Sequence, residues 1–334
     1  MARKTRSALT AAAVLAITSI GSHLVAWGLK IRTQATMPVH FGSTNMQATA
    51  IAAGSSLTFY GISWQEVSTN LGMRISGLTT PAASVHELET LQKDSRSAQY
   101  TFLGLSTFDL NENSVSDYRA DVVPFRNEVA ALWSAGWDWH YSKKVLAQYP
   151  LKYFRLLYPT AGRSIPVMVG IREQFRTWRR PSNQPDLSER AILSGNINTH
   201  LESISAWPRA RLLRNFASIR ANDGGKLEFE GFKRDSLFHF LLRGAQQGKM
   251  IVLVLPTSAA YKAEFVTEDV ERRYEHLLME AQSRVPEAIW IRLDRLPELQ
   301  RDDHYWDLVH LNAPGQAIAT KALLTQLAAV GIRP

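Results

Sequence analysis

The chain contains no cysteine. Its absence excludes a disulfide scaffold, thiol catalysis and thiolate metal sites, and leaves the compartment open. No internal repeat or low-complexity tract occurs, which excludes solenoid and array architectures. Acidic residues are scarce in one stretch. Between Trp139 and Arg180, nine Lys or Arg stand against a single acid, Glu173. What remains is an ordinary globular composition: 334 residues, 45% hydrophobic and a formal charge of +8, enough for one large domain with a sizeable core.

The start of the chain is basic and then apolar. "MARKTR" precedes "SALTAAAVLAITSIGSHLVAWGLK", about 20 mostly apolar residues, the pattern of a signal anchor or a signal peptide over residues 1–34. Thr18, Ser19, Ser22 and His23 interrupt the run, and "LVA" before Trp27 has the small residues of a cleavage site. Arg3, Lys4 and Arg6 favour a cytoplasmic N-terminus over Lys30 and Arg32 on the far side. The body, residues 35–334, is then expected outside the cytoplasm, in a periplasm or at the cell surface. Residues 30–46 read as its linker.

Beyond the linker, strand and helix signals alternate. "QATAIAAGSS" reads as a short buried strand ending in a glycine turn, and "TFYGISWQEVSTNL" as helix. "GMRISGLTT" and "AQYTFLGLST" read as strands on either side of the helical "SVHELETLQKD". The alternation stops near Asp121 and resumes near residue 235 with helix, the strand "MIVLVLP", helix, the strand "AIWIRLD" and a last helix "APGQAIATKALLTQLAAV". The pattern predicts an α/β fold, a parallel sheet covered by helices, with a long helical insertion at about 121–235.

Ligand-binding groups gather at the C-terminal edge of such a sheet. Three early loops are expected there: Gly54-Ser55-Ser56, Ser76-Gly77-Leu78 and Gly104-Leu105-Ser106. A late one is Asp307-Leu308-Val309-His310. A serine hydroxyl needs a base, imidazole titrates in the right range, and the imidazole needs an acceptor that fixes its tautomer. Asp307 and His310, three residues apart, can share one face of a turn. Taken singly, Gly-Ser-Ser is an ordinary turn and Asp-x-x-His a common spacing. Together, at the two ends of an alternating chain, they suggest a Ser56–His310–Asp307 set. A metal reading of His304, Asp307 and His310 would need a further ligand, for which only Asp302 or Asp303 is at hand.

With these residues in place, the chain resembles the SGNH, or GDSL-like, hydrolases. "GSSL" matches the first block of that family with Ser56 as nucleophile and Ser55 where Asp is usual. "ISGLTT" matches the second block with Gly77, and "DLVHLNAPGQ" matches the last with Asp307 and His310. The third block, Gly-x-Asn-Asp in the family, reads Gly104-Leu105-Ser106-Thr107, so Ser106 stands for the asparagine. The resemblance implies a three-layer, flavodoxin-like parallel sheet flanked by helices. It also implies an acyl-Ser56 intermediate, an oxyanion hole from Ser56, Gly77 and Ser106, and neither cofactor nor metal. The α/β-hydrolase elbow, Gly-x-Ser-x-Gly, is disfavoured because Thr58 stands at its second glycine.

The resemblance extends to membrane-anchored proteins of envelope acylation, which work beside a membrane-bound O-acyltransferase. Three readings follow: an extracytoplasmic esterase on acylated envelope glycans or lipids, an acyltransferase onto an envelope polysaccharide, and a catalytically silent binding scaffold. The basic, aromatic insertion "WDWHYSKKVLAQYPLKYFRLLYP" fits either docking on a membrane surface or a helical cap with inward aromatics. An extracytoplasmic body argues against nucleic acid as partner.

Overall fold

The computed structural model describes residues 14–21, 49–79, 85–86, 98–115, 125–149, 202–223 and 225–333. Residues 14–21 are helical and lie within the apolar N-terminal run. The rest of that run, the 30–46 linker, most of "SVHELETLQKD" and the basic stretch from residue 150 to 201 lie outside the described residues. Among the described residues no helix is long and apolar enough to cross a membrane.

The centre is a five-stranded, all-parallel sheet of order β2-β1-β3-β4-β5. Its strands are β1 (Ala50–Gly54), β2 (Ile75–Thr79), β3 (Tyr100–Leu105), β4 (Lys249–Val254) and β5 (Ile289–Arg292). Every residue of β1 is buried, as are all of β4 after Lys249 and all of β3 after Tyr100. Strands of a parallel sheet are covered on both faces, which explains why they read as unbroken apolar runs rather than alternating ones.

The helices follow the strands. After β1 come α1 (Ser56–Gly61) and α2 (Trp64–Leu71). The sequence suggests one helix here, but Ile62 is extended and splits it in two. Trp64 opens α2, fully enclosed, with its indole N–H donating to Thr58 O at 2.9 Å and its ring 5.5 Å from Phe102 on β3. Between β3 and β4 lie α3 (Phe125–Ser134), α4 (Trp139–Leu146), α5 (Arg209–Asp223) and α6 (Phe232–Gln247). After β4 come α7 (Ala259–Phe265) and α8 (Glu268–Arg284), and α9 (Ala313–Ala329) ends the fold. α6 packs on β4 and α8, while α9 packs on α1 and α2.

α3 and α4 enclose a small core of their own: Leu132, Ala135, Tyr141, Val145 and Tyr149, joined to the main body through Phe232 of α6. Beside it, His86 Nε2 and Glu128 Oε1 meet at 3.0 Å with both side chains fully buried, and Tyr149 donates to the other Glu128 oxygen at 3.1 Å. The aromatics of this region therefore divide. Tyr141 and Tyr149 face inward, while Trp133 and Trp139 are 73% and 68% exposed.

Two loops shape the C-terminal edge of the sheet. The first, residues 106–115, follows β3 and is gripped by Lys233, a buried residue whose ammonium donates to the carbonyls of Asp109, Asn111 and Ser114 at 3.2, 2.8 and 2.7 Å. Gly231 supplies no side chain to cap α6, and the Glu112 carboxylate instead accepts from Phe232 N and Lys233 N. The second loop joins β5 to α9 through three short 3₁₀ turns and an antiparallel bridge, Tyr305 to Leu311. Asn312 then caps α9 by accepting from Gly315 N, while its amide donates to Asp303 O. A Cβ at Gly315 would lie 2.4 Å from His304 O. The run "HLNAPG" is thus a cap, a helix-opening proline and a close backbone contact that together hold His310 in place.

Candidate active site

The turn that carries Ser56 is built on glycine. Gly54 ends β1 with φ +147°, where side chains are rarely accommodated, and a Cβ there would meet Thr58 Oγ1 at 2.0 Å. Gly104 of β3 is under the same constraint, 2.1 Å from the same oxygen. The fully buried Thr58 therefore sits on two glycines of neighbouring strands. This seats the first turn of α1 directly over the sheet edge.

Ser55 caps that turn. Its Oγ accepts from Leu57 N at 3.1 Å, and its carbonyl accepts from Thr58 N and Phe59 N at 3.1 and 3.2 Å. The amide that takes no part in this cap is that of Ser56 itself. It lies at the start of the helix, where backbone N–H groups favour negative charge.

Ser56 and His310, 254 positions apart in the chain, meet at 2.8 Å between Oγ and Nε2. The other ring nitrogen, Nδ1, lies 2.7 Å from Asp307 Oδ2. An ionised carboxylate only accepts, so Nδ1 carries the proton and Nε2 is left as acceptor for the serine hydroxyl. Asp307 Oδ1 accepts from the backbone N–H of Val309 and of His310 at 2.9 and 2.7 Å. Both carboxylate oxygens are committed to orienting the histidine. Among the described residues no three His, Asp or Glu side chains are grouped to hold a metal ion.

The electrostatics match this geometry. Burial works against charge on His310, but the charge and hydrogen bond of Asp307, with the charge of Asp109, outweigh it and raise the imidazole pKa above its ordinary value. Burial likewise opposes ionisation of Asp307, and the His310 charge, the His310 hydrogen bond and the two backbone N–H groups outweigh that and hold its pKa down. Trp306 lies nearly parallel to the imidazole, 4.9 Å between centroids, and Tyr60 meets it edge-on at 5.8 Å. An aromatic face over an imidazolium favours the charged ring. Burial raises the Tyr60 pKa, which keeps its hydroxyl neutral.

Gly77 and Ser106, expected as oxyanion donors beside the Ser56 amide, belong to the strands on either side of β1, Gly77 within β2 and Ser106 just past β3. Gly77 lies inside β2, opposite Ala52, and not in a loop past the strand end; the paired register runs two residues further, to Thr79 opposite Gly54. β2 is an edge strand, where a glycine without a side chain to pack is tolerated. Ser106 does stand at the end of β3, but its hydroxyl donates to Asp109 Oδ2 at 2.8 Å and accepts from Asp109 N at 3.2 Å. A hydroxyl has one proton, so Ser106 cannot donate to an oxyanion while it donates to Asp109. Asp109, Trp306 and Tyr60 stand near these residues without a motif of their own to mark Trp306 or Tyr60 in the sequence. Only Asp109 carried a signal, the Ser-x-x-Asp spacing from Ser106, in which an acidic residue folds back on the serine three positions earlier.

Comparison of the chain with protein-family models and with curated proteins returns no match. The reading of the site rests on its own geometry.

Proposed function

We propose that the chain is a serine esterase of SGNH type, working through an acyl-Ser56 intermediate. The observation that carries this reading is the unbroken line Ser56 Oγ, His310 Nε2, His310 Nδ1, Asp307 Oδ2, with both links at hydrogen-bond length. The strand order 2-1-3-4-5, shared with flavodoxin-like doubly wound sheets, supports the same assignment, since ligands there bind at the C-terminal strand ends.

In the proposed reaction, Ser56 Oγ attacks the ester carbonyl carbon as Nε2 takes its proton. The carbonyl oxygen becomes an oxyanion facing the Ser56 N–H at the head of α1. The tetrahedral species collapses by breaking the bond to the alcohol oxygen, which takes the proton from Nε2, and acyl-Ser56 remains. A second nucleophile, water or an acceptor hydroxyl, then gives its proton to Nε2, and the same steps release Ser56. A missing oxyanion donor typically costs about 3 kcal/mol of transition-state stabilisation. The commitment of Ser106 to Asp109 therefore makes a slow esterase.

That slowness favours the second reading, transfer of the acyl group onto an envelope polysaccharide beside a membrane-bound O-acyltransferase. A transferase must restrain water until its acceptor arrives. The proposed substrates are acylated glycans or lipids outside the cytoplasm. Exposed Trp133 and Trp139 suit contact with a membrane surface, where tryptophan rings settle at the head-group level. A silent scaffold is disfavoured by the intact hydrogen-bonded triad.

Turnover of p-nitrophenyl acetate by the full-length protein tests the reading. We expect slow release of nitrophenol that disappears in Ser56→Ala. A polyol or glycan acceptor should accelerate it and become acetylated, if transfer is the physiological direction. Acceptor left unmodified alongside steady hydrolysis would leave the esterase alone, and turnover surviving at full rate in Ser56→Ala would overturn both.

A further inference from the structure

The C-terminal edge of the sheet holds a cavity that the Ser56–His310–Asp307 line does not use. It measures about 90 Å³ and is lined from the ends of β3, β4 and β5 and from the helices α7 and α8. Thr107 stands two residues past β3, Leu255 directly after β4, and Asp294 two residues past β5. Leu255 ties this wall to the elements around Ser56. Its N–H donates to Leu105 O at 2.7 Å, and its side chain lies 4.0 Å from where a Cβ at Gly61 of α1 would be. In open parallel sheets, ligands bind beyond these strand ends. One water needs roughly 10–15 Å³ of such space, so there is room for about six waters or an organic molecule of about six non-hydrogen atoms.

The lining is rich in hydroxyl groups. Thr107, Thr257 and Tyr274 each bring one, and Thr257 and Tyr274 are only 3% and 4% exposed. The Thr107 and Tyr274 hydroxyls have no hydrogen-bond partner among the described residues. Buried polar groups are seldom left so, because each carries the full cost of its lost hydration. Lys262 on α7 adds an ammonium, of whose three protons one goes to Gln300 Oε1 at 2.5 Å. Leu255 and Val266 supply the apolar part of the wall.

The charges around the cavity cancel. Glu271, Glu275 and Asp294 line it, and Lys262, Arg292 and Arg295 answer them. Arg292 donates to both oxygens of Glu275 at 2.9 and 2.6 Å and to both of Asp294 at 2.8 and 2.7 Å. Arg295 donates to Glu275 at 2.6 Å and lies 3.6 Å from Glu271. An anion entering here would meet three carboxylates. A cation would meet Lys262, and carboxylates already held by guanidinium groups. An apolar molecule would leave the hydroxyls without partners. An alcohol hydroxyl both donates and accepts, as the threonine and tyrosine side chains do, and a short carbon skeleton suits Leu255 and Val266.

We propose, independently of the acyl-serine reading, that this cavity is a binding site for a small neutral polyol of glycerol size. Its oxygens take protons from Lys262 and complete the hydroxyls of Thr107, Thr257 and Tyr274, while its C–H groups lie on Leu255 and Val266.

Glycerol itself is the probe, titrated into full-length protein prepared without it and followed by saturation-transfer NMR of the ligand signals. We expect saturable binding in the millimolar range. Propan-1-ol, which keeps one hydroxyl, and glycerol 3-phosphate, which adds negative charge, should bind more weakly. Tyr274→Phe keeps the ring and removes the hydroxyl, and should weaken glycerol binding about three- to tenfold. It should not lower the unfolding temperature of the free protein, because the group it removes has no partner there. A tyrosine kept only for the fold would show the reverse, a lower unfolding temperature with glycerol binding unchanged. Thr257→Val, close in volume, is the second variant, with the same expected loss of affinity. Absence of saturable binding would mean that water alone fills the cavity, and would overturn the proposal. Glycerol 3-phosphate binding as tightly as glycerol, or glycerol affinity unchanged in both variants, would overturn it equally. Ester turnover enters none of these measurements, so they stand whether or not Ser56 proves to be a nucleophile.

Discussion

In the proposed reaction His310 accepts the Ser56 proton only while Nε2 is unprotonated, so the activity expected of it rises with pH through the imidazole pKa. Because Asp307 and Asp109 together raise that pKa despite burial, the acid limb of kcat/KM should lie above the ordinary imidazole value of about 6.5. Asp307→Asn removes both the charge and the acceptor that fixes the tautomer. We expect kcat on an activated acetate ester to drop by about 10³ to 10⁴, and the residual activity to persist to lower pH. An acid limb that stays in place in this variant would mean that Asp307 does not set the charge of the ring. The residues that make this line were legible in the sequence because each belongs to a short pattern, Gly-Ser-Ser or Asp-x-x-His. Trp306 and Tyr60 were not. An aromatic residue beside a histidine has no spacing that separates a ring stacked on imidazole from an ordinary core residue. Only the folded loop, with Trp306 N donating to His310 O at 3.1 Å, brings that stack about.

The elements around the site are held by close contacts more than by long helices. α1 has six residues and would not be stable alone; it persists because Ser55 caps it and Thr58 anchors it against the two glycines of β1 and β3. Gly104→Ala would drive a methyl group to 2.1 Å from Thr58 Oγ1 and 2.8 Å from its methyl carbon. We expect a loss of about 1–3 kcal/mol in denaturant unfolding, typical of overpacking a filled core, together with displacement of Ser56 and loss of turnover. Thr58→Ala in the same chain should recover part of both, because it removes the hydroxyl and the methyl that clash. No recovery would place the strain elsewhere. Thr58 is also where a sequence comparison is most instructive. It read only as a mismatch to the Gly-x-Ser-x-Gly elbow, whereas its fold-level role is to fill the space that Gly54 and Gly104 leave. The expected single helix after β1 became two for a related reason. Ile62, extended at the break, and Trp64, at the head of α2, are both buried in the core.

At the scale of the molecule, the order of strands and helices followed from the buried runs at Ala50–Gly54, Tyr100–Leu105 and Lys249–Val254, since unbroken apolar strands separated by helices leave few arrangements other than a parallel sheet. Gly77's place in the ladder was not legible, and the Ser106–Asp109 bond left only the Ser-x-x-Asp spacing as a trace. Strand register and hydroxyl direction depend on partners far away in the chain, here Ala52 for the first and the Lys233-held loop for the second. The sheet edge gathers Ser56 from the turn after the first strand and Asp307 with His310 from the loop after the fifth, and the proposed function stands on their forming one reactive centre. Reaction of the full-length protein with a fluorophosphonate, mapped by peptide mass spectrometry, tests this most directly. We expect a single adduct on Ser56 that is lost in His310→Ala. An unmodified Ser56, or labelling that proceeds equally well without His310, would contradict it.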